Sequence, residues 1–534
     1  MPRLTIDNRE VEVAEGSTLL DAAAKLGIAI PTLCFLAGHP PATSCMVCVV
    51  KLNGREGYVP ACATKAADGM RVESETEEVH GARRAALELL LSDHLGDCVG
   101  PCRSVCPAHV DIPLMIRQII AGRLADAIAT VKRHVALPAV LGRICPAPCE
   151  KGCRRAHKDN PVSICLLKRY VADVDLESER PWLPPRKPRT RKKVAIVGAG
   201  PAGLAAAYYL LQAGHWCALF DDRDRAGGGL RFGVGEDRLP GEVLDAEIRA
   251  VEKLGAEFRL KTRVGRDVPI ADLRKNFDAL LIAAGPLKQG DAQAFGIEAT
   301  QHGLKADRHT TWTGVAGVFA AGDALTPTRL TVRAVADGRQ AAASICQHLA
   351  GQPLTGEHRR FSVHIGRLSE AEMAAFMTGA SAAGSVPPAG GMASGFTPKE
   401  ARREALRCLR CDCRKAEACK LRDHSDACGA KAGRYKGDRR PFEHDVQHPS
   451  VVYEPGKCIA CGICTRITAE AGEKLGLTFV GRGFNVRVAV PFGGAMAEGL
   501  AKAARACVEA CPTGALAFKD SAVALQADRQ KRKD

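Results

Sequence analysis

Residues 194–203 read VAIVGAGPAG, and residues 204–214 continue LAAAYYLLQAG. The first run is apolar without alternation, as a strand buried on both faces of a parallel sheet must be. The second reads as the helix that follows it. Between them stand Gly198, Gly200 and Gly203, spaced GxGxxG. Gly198 permits the tight turn, Gly200 lets the backbone approach a pyrophosphate, and Gly203 lets helix and strand pack closely. The phosphates then rest on the free N–H groups at the helix N-terminus. Asp221 closes the next strand-like run, CALF, at the distance expected of the acid that holds a ribose hydroxyl. Strand, glycines, helix and acid in order predict a Rossmann-like dinucleotide domain, and a chance glycine-rich turn does not supply all four.

The chain has 534 residues, enough for three or four domains. No apolar run reaches the length of a membrane span, and residues 1–30 lack a signal-peptide pattern. The anomaly is 23 cysteines, many spaced CxxC or CxxxC. A secreted disulfide scaffold is shorter and less regular, so the spacing points to metal or iron–sulfur ligation in a reducing cytoplasm. The net charge of +15 is spread along the chain, with concentrations only at 186–193 (RKPRTRKK) and in the tail after Asp528. That spread argues against a nucleic-acid stripe. Residues 180–193 read as a linker with a solvated basic face, and the same field suits an acidic redox partner.

Residues 1–78 open with LTIDNREVEV and STLLDAAAKLGI, a β-hairpin and then a helix with Ser17 or Thr18 as N-cap. Cys34, Cys45, Cys48 and Cys62 follow, spaced C-x10-C-x2-C-x13-C. Four thiolates hold a [2Fe–2S] cluster, two per iron. The stretches PTLC, SCMVCVV, PACAT and GMRV resemble the ferredoxin-like domain of the large iron–sulfur subunit of NADH dehydrogenase and of related hydrogenase subunits. The resemblance implies one [2Fe–2S] cluster in a β-grasp-like domain.

Residues 79–180 are expected to form a helical cysteine-rich domain. Cys98, Cys102 and Cys106-Pro107 precede a helix pair at 113–135, and Cys145-Pro146, Cys149, Cys153 and PVSICLLKRYVADV follow it. This pattern resembles the N-terminal domain shared by the glutamate synthase small subunit and dihydropyrimidine dehydrogenase, which carries two [4Fe–4S] clusters. The resemblance implies Cys98, Cys102 and Cys153 on one cluster, and Cys106, Cys145 and Cys149 on the other. The fourth ligands depart from the pattern. For the first, His94 stands four residues before Cys98, as at the start of a histidine-ligated cluster in NADH dehydrogenase; the alternative is a polar residue at a helix end. For the second, Lys168 occupies the place of a non-cysteine ligand, with Cys165 nearby; the alternative for Cys165 is a small buried hydrophobe.

Within 190–350, AGGGLRFGVGEDRLP (226–240) resembles the flavin-adjacent stretch of the glutamate synthase family, through Gly228, Gly229, Leu230 and Arg238. FDALLIAAG, ending at Gly285, and GVFAAGDAL, with Gly322 and Asp323, match its two later fingerprints. The resemblance implies bound FAD. In that family a second dinucleotide domain is inserted between these two fingerprints. Here the interval is too short for one, so the chain is expected to hold FAD without an NAD(P)H site of its own.

Residues 351–400 are expected to be a linker, low in complexity at 377–396. Within 401–534, Cys408, Cys411, Cys413 and Cys419 supply one [4Fe–4S] cluster or one zinc, with Cys428 spare. Cys458, Cys461 and Cys464 pair with Cys511-Pro512 as in bacterial-type ferredoxins. Thr468, Ala501 and Ala504 stand where a second cluster needs cysteines, and Cys507 is left alone. This region, with GRGFNVRV, resembles iron–sulfur segments of NADH dehydrogenase and of NAD-linked formate dehydrogenase or hydrogenase subunits. The expected fold is thus multidomain, α+β and α/β. The expected function is a flavin and iron–sulfur electron-transfer subunit with FAD, one [2Fe–2S] and three to four [4Fe–4S] clusters, working with other redox subunits. The alternatives are a self-sufficient NAD(P)H-dependent oxidoreductase and a non-redox zinc scaffold.

Overall fold

The computed structural model describes residues 1–287, 290–435 and 437–519, and the basic tail after Asp528 lies outside the described residues. The chain forms two compact units. The first is Met1–Val99, Arg360–Gly379 and Cys411–Asp534; the second is Gly100–Arg359 and Ala380–Arg410.

The first unit begins with strands β1 (Arg3–Ile6), β2 (Arg9–Glu12), β3 (Val49–Leu52), β4 (Val59–Pro60) and β5 (Arg71–Glu73), in the sheet order β2-β1-β5-β3-β4. β1 runs antiparallel to β2 and parallel to β5, the mixed pairing of the expected β-grasp. Alternation in β1 turns Leu4 and Ile6 inward against Leu19, Ala22 and Ala23 of the helix Leu19–Lys25. Thr18 caps that helix: its hydroxyl accepts from the Asp21 amide at 3.2 Å, and its own amide donates to Asp21 at 2.8 Å.

The helix Glu77–Ser92 was expected to open the helical domain, yet it belongs to this first unit. Its buried face carries Val79, Arg83 and Leu87, and Arg83 donates to the Val49 carbonyl of β3 at 3.1 Å. The C-terminal part adds two antiparallel ribbons, Val451–Tyr453 with Leu516–Phe518 and Thr478–Val480 with Arg487–Ala489.

The second unit is built on strands β6 (Lys193–Val197), β7 (Trp216–Phe220), β8 (Glu257–Arg259), β9 (Ala279–Ile282) and β10 (Val318–Ala320). They form one parallel sheet in the order β10-β9-β6-β7-β8. The helices Pro201–Gln212 and Thr331–Leu349 pack side by side, and Gly338 makes the approach possible: a Cβ there would stand 2.2 Å from the Ala202 carbonyl oxygen. The helices Ile112–Ile120, Leu124–Lys132, Pro138–Ile144 and Ile164–Leu176 share one apolar core with these two. The helical and dinucleotide segments thus share one apolar core within the second unit. Glu247 ties them, accepting from the Ala139 and Val140 amides at 2.8 and 2.9 Å.

The expected linker is likewise divided and held. Its helix Glu370–Met377 lies in the first unit, where Glu372 accepts from the Phe442 amide at 2.8 Å. Residues 380–410 lie in the second, where Arg155 donates to the Ser381 carbonyl at 2.8 Å and Arg169 to the Met392 carbonyl at 2.7 Å. Low complexity reports the absence of large side chains here; arginines from elsewhere in the unit supply the order. Among the described residues no helix is long and apolar enough to cross a membrane.

Candidate cofactor and metal centres

The glycine-rich turn has the predicted form. Gly198 has φ +106°, a conformation that favours glycine, and a Cβ there would meet the Ala283 carbonyl oxygen at 2.3 Å. At Gly203 a Cβ would sit 1.9 Å from the Gly198 oxygen. Asp221, at the end of β7, accepts from the Ala199 amide at 2.7 Å and the Arg223 amide at 3.0 Å. Gly228 comes up against Gly200, where a Cβ would be 2.8 Å from the Gly200 Cα. Gly229 starts the short helix Gly229–Phe232, Leu230 is buried, and Arg238 is exposed.

Gly285 follows β9 with open space on its Cβ side. Gly322 follows β10 and abuts Ala202, while the Asp323 carboxylate accepts from the Thr328 amide at 3.0 Å. The turn after β10 thus reaches the helix that the first turn opens. Residues positioned from three strand ends leave a cradle without side chains along the helix N-terminus, which fits a dinucleotide pyrophosphate. Between β9 and β10 the described residues form one short helix, Asp291–Phe295, two isolated bridges and turns, and no second dinucleotide fold.

The four N-terminal cysteines are buried and pair off. A hydrogen bond from Cys45 holds the Cys34 thiol down at about 5, and one from Cys62 holds Cys48 down at about 7. Two thiol pairs, Cys34 with Cys45 and Cys48 with Cys62, fit two irons with two sulfurs each.

In the C-terminal ferredoxin-like part, Cys458, Cys461, Cys464 and Cys511 line one apolar cavity with Ile463 and Pro512. Burial pushes Cys458 up to about 11 and Cys461 up to about 12, so loss of their protons awaits a cation. Cys507 is fully buried, its thiol 3.8 Å from the Cys464 carbonyl, and serves as core.

The remaining cysteines fall in both units. Cys408 lies in the second unit, while Cys411, Cys413 and Cys419 lie in the first. Cys98 also falls in the first unit, and Cys102 and Cys153 in the second. Within the first unit, Cys98, Cys413 and Cys419 are electrostatic neighbours, and burial raises both Cys413 and Cys419. His94 stands one turn before Cys98. Its Nδ1 is buried without a hydrogen-bond partner among the described residues, and burial, then the Lys457 ammonium, hold its pKa down at about 4. A neutral imidazole with an orphaned nitrogen has the chemistry of a metal ligand. Lys415 donates to the Val508 and Cys511 carbonyls, both at 2.5 Å, and so ties the Cys413–Cys419 loop to the C-terminal cysteines.

Within the second unit, the helix Pro101–Val105 packs on Pro148–Lys151 and brings the Cys102–Cys106 stretch to Cys149 and Cys153. Residues 404–408 are clamped to the chain just after Cys153. Glu404 accepts from the Ser163 amide at 2.8 Å, and the buried Arg407 donates to Asp159 at 3.0 Å and to the Asn160 carbonyl at 2.7 Å. Cys102, Cys153 and Cys408 all pack against the same core. Cys106, Cys145, Cys149 and Cys165 face the Lys168 ammonium; burial disfavours its charge, but the four cysteines together raise its pKa above the ordinary lysine value. Cys428 sits beside Arg83 and Arg84 and joins none of these sets. Among the described residues no three His, Cys, Asp or Glu side chains converge as tightly as a single metal ion requires. Sequence reasoning missed Lys415, Glu404 and Arg407, which no spacing marks.

Three family models match parts of the chain. A 2Fe-2S iron-sulfur cluster binding domain covers residues 2–77, the 4Fe-4S domain II of dihydropyrimidine dehydrogenase covers 92–180, and an NAD(P)-binding Rossmann-like domain covers 196–260. The NADP(+)-dependent formate dehydrogenase subunit beta of Moorella thermoacetica is 41% identical over 206 residues, 35% of this chain and 29% of that protein. The glutamate synthase [NADPH] small chain of Bacillus subtilis is 38% identical over 199 residues, 37% of this chain and 40% of that protein. The NAD-dependent dihydropyrimidine dehydrogenase subunit PreT of Salmonella typhimurium is 32% identical over 233 residues, 42% of this chain and 56% of that protein. The chain thus spans less than two thirds of each relative. Its modules are of the 2Fe–2S, 4Fe–4S and Rossmann-like NAD(P)-binding kinds.

Proposed function

We propose that this chain is the flavin and iron–sulfur electron-transfer subunit of a larger, non-membrane-spanning cytoplasmic oxidoreductase. One observation carries the reading: a single apolar cluster of the first unit contains Cys34, Cys45, Cys98, Cys419 and Cys461, cysteines of three separate thiol sets. Packing three sets around one dry core is what short electron-transfer steps require, and a structural zinc site has no use for it.

The [2Fe–2S] cluster takes Cys34, Cys45, Cys48 and Cys62. One [4Fe–4S] cluster takes Cys458, Cys461, Cys464 and Cys511. A second takes His94, Cys98, Cys413 and Cys419. In the second unit, Cys102, Cys153 and Cys408 serve one cubane, and Cys106, Cys145 and Cys149 another. FAD, when bound, accepts electrons in pairs and releases them singly, and each cluster carries one. The glycines at 198, 200, 203 and 228 and the helix N-terminus bind the pyrophosphate, and Asp221 orients a ribose hydroxyl. Burial of Cys34, Cys45, Cys48 and Cys62 keeps water from the first of these sets.

No second nucleotide domain occupies the interval between β9 and β10 among the described residues, so partner subunits deliver or remove electrons. Those partners are linked to NAD(P)H, hydrogen, formate or ferredoxin. The test is an anaerobic titration of the iron-replete, FAD-loaded chain with NADH, then NADPH, then dithionite. Bleaching of flavin and clusters by dithionite alone is expected. Rapid stoichiometric reduction by either nucleotide would show a self-sufficient enzyme instead, and colourless protein holding zinc would show a scaffold.

A further inference from the structure

Cys106, Cys145 and Cys149 supply three sulfurs to a cubane that needs four ligands, and Lys168 stands where a non-cysteine ligand was expected. Resting on the iron–sulfur reading above, we infer that Cys165 is the fourth sulfur of this set and that Lys168 is a fixed counter-charge beside it, not a ligand.

Position comes first. Cys165 is the second residue of the helix Ile164–Leu176. Its amide donates to Glu150 Oε1 at 2.8 Å, which fixes the start of that helix against the segment carrying Cys149. Its thiol hydrogen-bonds to the Cys145 thiol. The acceptors around it are carbonyls of one helix end: Leu141 at 3.4 Å, Gly142 at 3.6 Å and Cys145 at 3.9 Å. A small buried hydrophobe needs none of these contacts. A thiol held against a second thiol of an incomplete cysteine set is a ligand in waiting.

Charge comes second. Lys168 lies one turn further along the same helix, and its Nζ donates to the Leu141 carbonyl at 3.0 Å, the same oxygen that the Cys165 thiol meets. Its positive charge faces Cys106, Cys145, Cys149 and Cys165, while the nearby Glu150 is committed to the Cys165 and Ile164 amides. An ammonium has no lone pair to give a metal. Held on the Leu141 carbonyl beside the four sulfurs, it favours the more negative, one-electron-reduced cluster over the oxidised one. The arrangement therefore gives one all-sulfur cubane whose potential a neighbouring lysine raises.

The test uses the full-length chain, reconstituted anaerobically with iron and sulfide, in the variants Cys165→Ser, Cys165→Ala, Lys168→Met and Cys145→Ser. Iron content, far-ultraviolet circular dichroism and the EPR of oxidised and dithionite-reduced protein are compared with the parent. Both Cys165 variants are expected to keep the parent's fold yet lose iron from one cubane, with a [3Fe–4S] signal in the oxidised protein that the parent lacks. Lys168→Met is expected to keep all iron while one cubane's midpoint moves to a more negative potential. Parental iron and spectra in both Cys165 variants, alongside loss of a cluster signal in Cys145→Ser, would overturn Cys165 as ligand and leave the iron–sulfur reading standing. Parental spectra in Cys145→Ser would overturn that reading for this site, and the inference with it. An unmoved midpoint in Lys168→Met would remove the lysine's role.

Discussion

Asp221 at the end of β7 accepts a hydrogen bond from the Ala199 amide, at 2.7 Å, and so holds the glycine-rich turn from the neighbouring strand. The same carboxylate is the one proposed to hold a ribose hydroxyl. Asp221→Ala removes both interactions. A charge-assisted hydrogen bond of about 2 kcal/mol corresponds to roughly thirtyfold in Kd. Equilibrium dialysis of apo-protein against FAD should show a loss of that order, and undiminished affinity would refute the assignment.

Steric demand in the turn gives a sharper contrast. Gly203→Ala places a methyl 1.9 Å from the Gly198 carbonyl oxygen, whereas Gly229→Ala meets nothing within 4 Å. Backbone must move in the first case and not in the second. Overpacking of this kind costs about 1–3 kcal/mol, or somewhat more where the obstacle is backbone. Thermal unfolding of the two variants side by side should show a several-degree loss for Gly203→Ala and little change for Gly229→Ala.

The turn was legible in sequence because its chemistry is local: glycines, strand and helix are contiguous, and the acid sits one strand away. The Cys34–Cys62 set was legible for the same reason. The ligand partition elsewhere was not. Cys408 and Cys413 are five residues apart, yet the first packs against the apolar core of the second unit while the second is an electrostatic neighbour of Cys98 in the first. Spacing cannot report a division made by Arg407 and Glu404 on one side and by Lys415 on the other. The apolar core that the helical segment and the Rossmann sheet share was not legible for a related reason, since no composition shift reports which faces of two segments meet.

Glu247 links those two parts and makes their union depend on pH. It is buried, and burial pushes its pKa from an ordinary 4.5 up to about 7 despite the amides of Ala139 and Val140. A raised folded pKa means the native state holds the proton more tightly than the unfolded chain. The stabilisation is full below pH 4.5 and is lost as pH rises through about 7. Glu247→Gln should flatten the stability profile over that window. Chemical denaturation of parent and variant at several pH values checks it, and identical slopes would exclude the coupling.

Arg407 is wholly buried and pairs with Glu404 at 2.6 Å, itself buried, as well as with Asp159 at 3.0 Å. Arg407→Ala strands the Glu404 carboxylate in the interior, which costs about 3–5 kcal/mol. Lysine does not replace a guanidinium that reaches five acceptors from three nitrogens. The double variant Arg407→Met with Glu404→Gln removes both charges and should recover part of the loss. Urea unfolding of the three proteins measures it, and a double variant no better than Arg407→Ala would show that packing, not charge, sets the cost.

The regrouping of the cysteines predicts which substitutions act together. If His94, Cys98, Cys413 and Cys419 hold one cluster, then Cys98→Ser and Cys413→Ser abolish the same EPR signal, and the double variant adds nothing to either. Cys408→Ser, only five residues from Cys413, should instead abolish the signal that Cys102→Ser and Cys153→Ser abolish. His94→Cys should keep the first cluster but change its line shape and lower its potential, because a thiolate adds negative charge where a neutral imidazole stood. Potentiometric EPR on the reconstituted chain resolves each of these. Loss of one common signal in both Cys408→Ser and Cys413→Ser would restore a single cluster on the CxxC segment, and the division between the two units would then have no bearing on ligation.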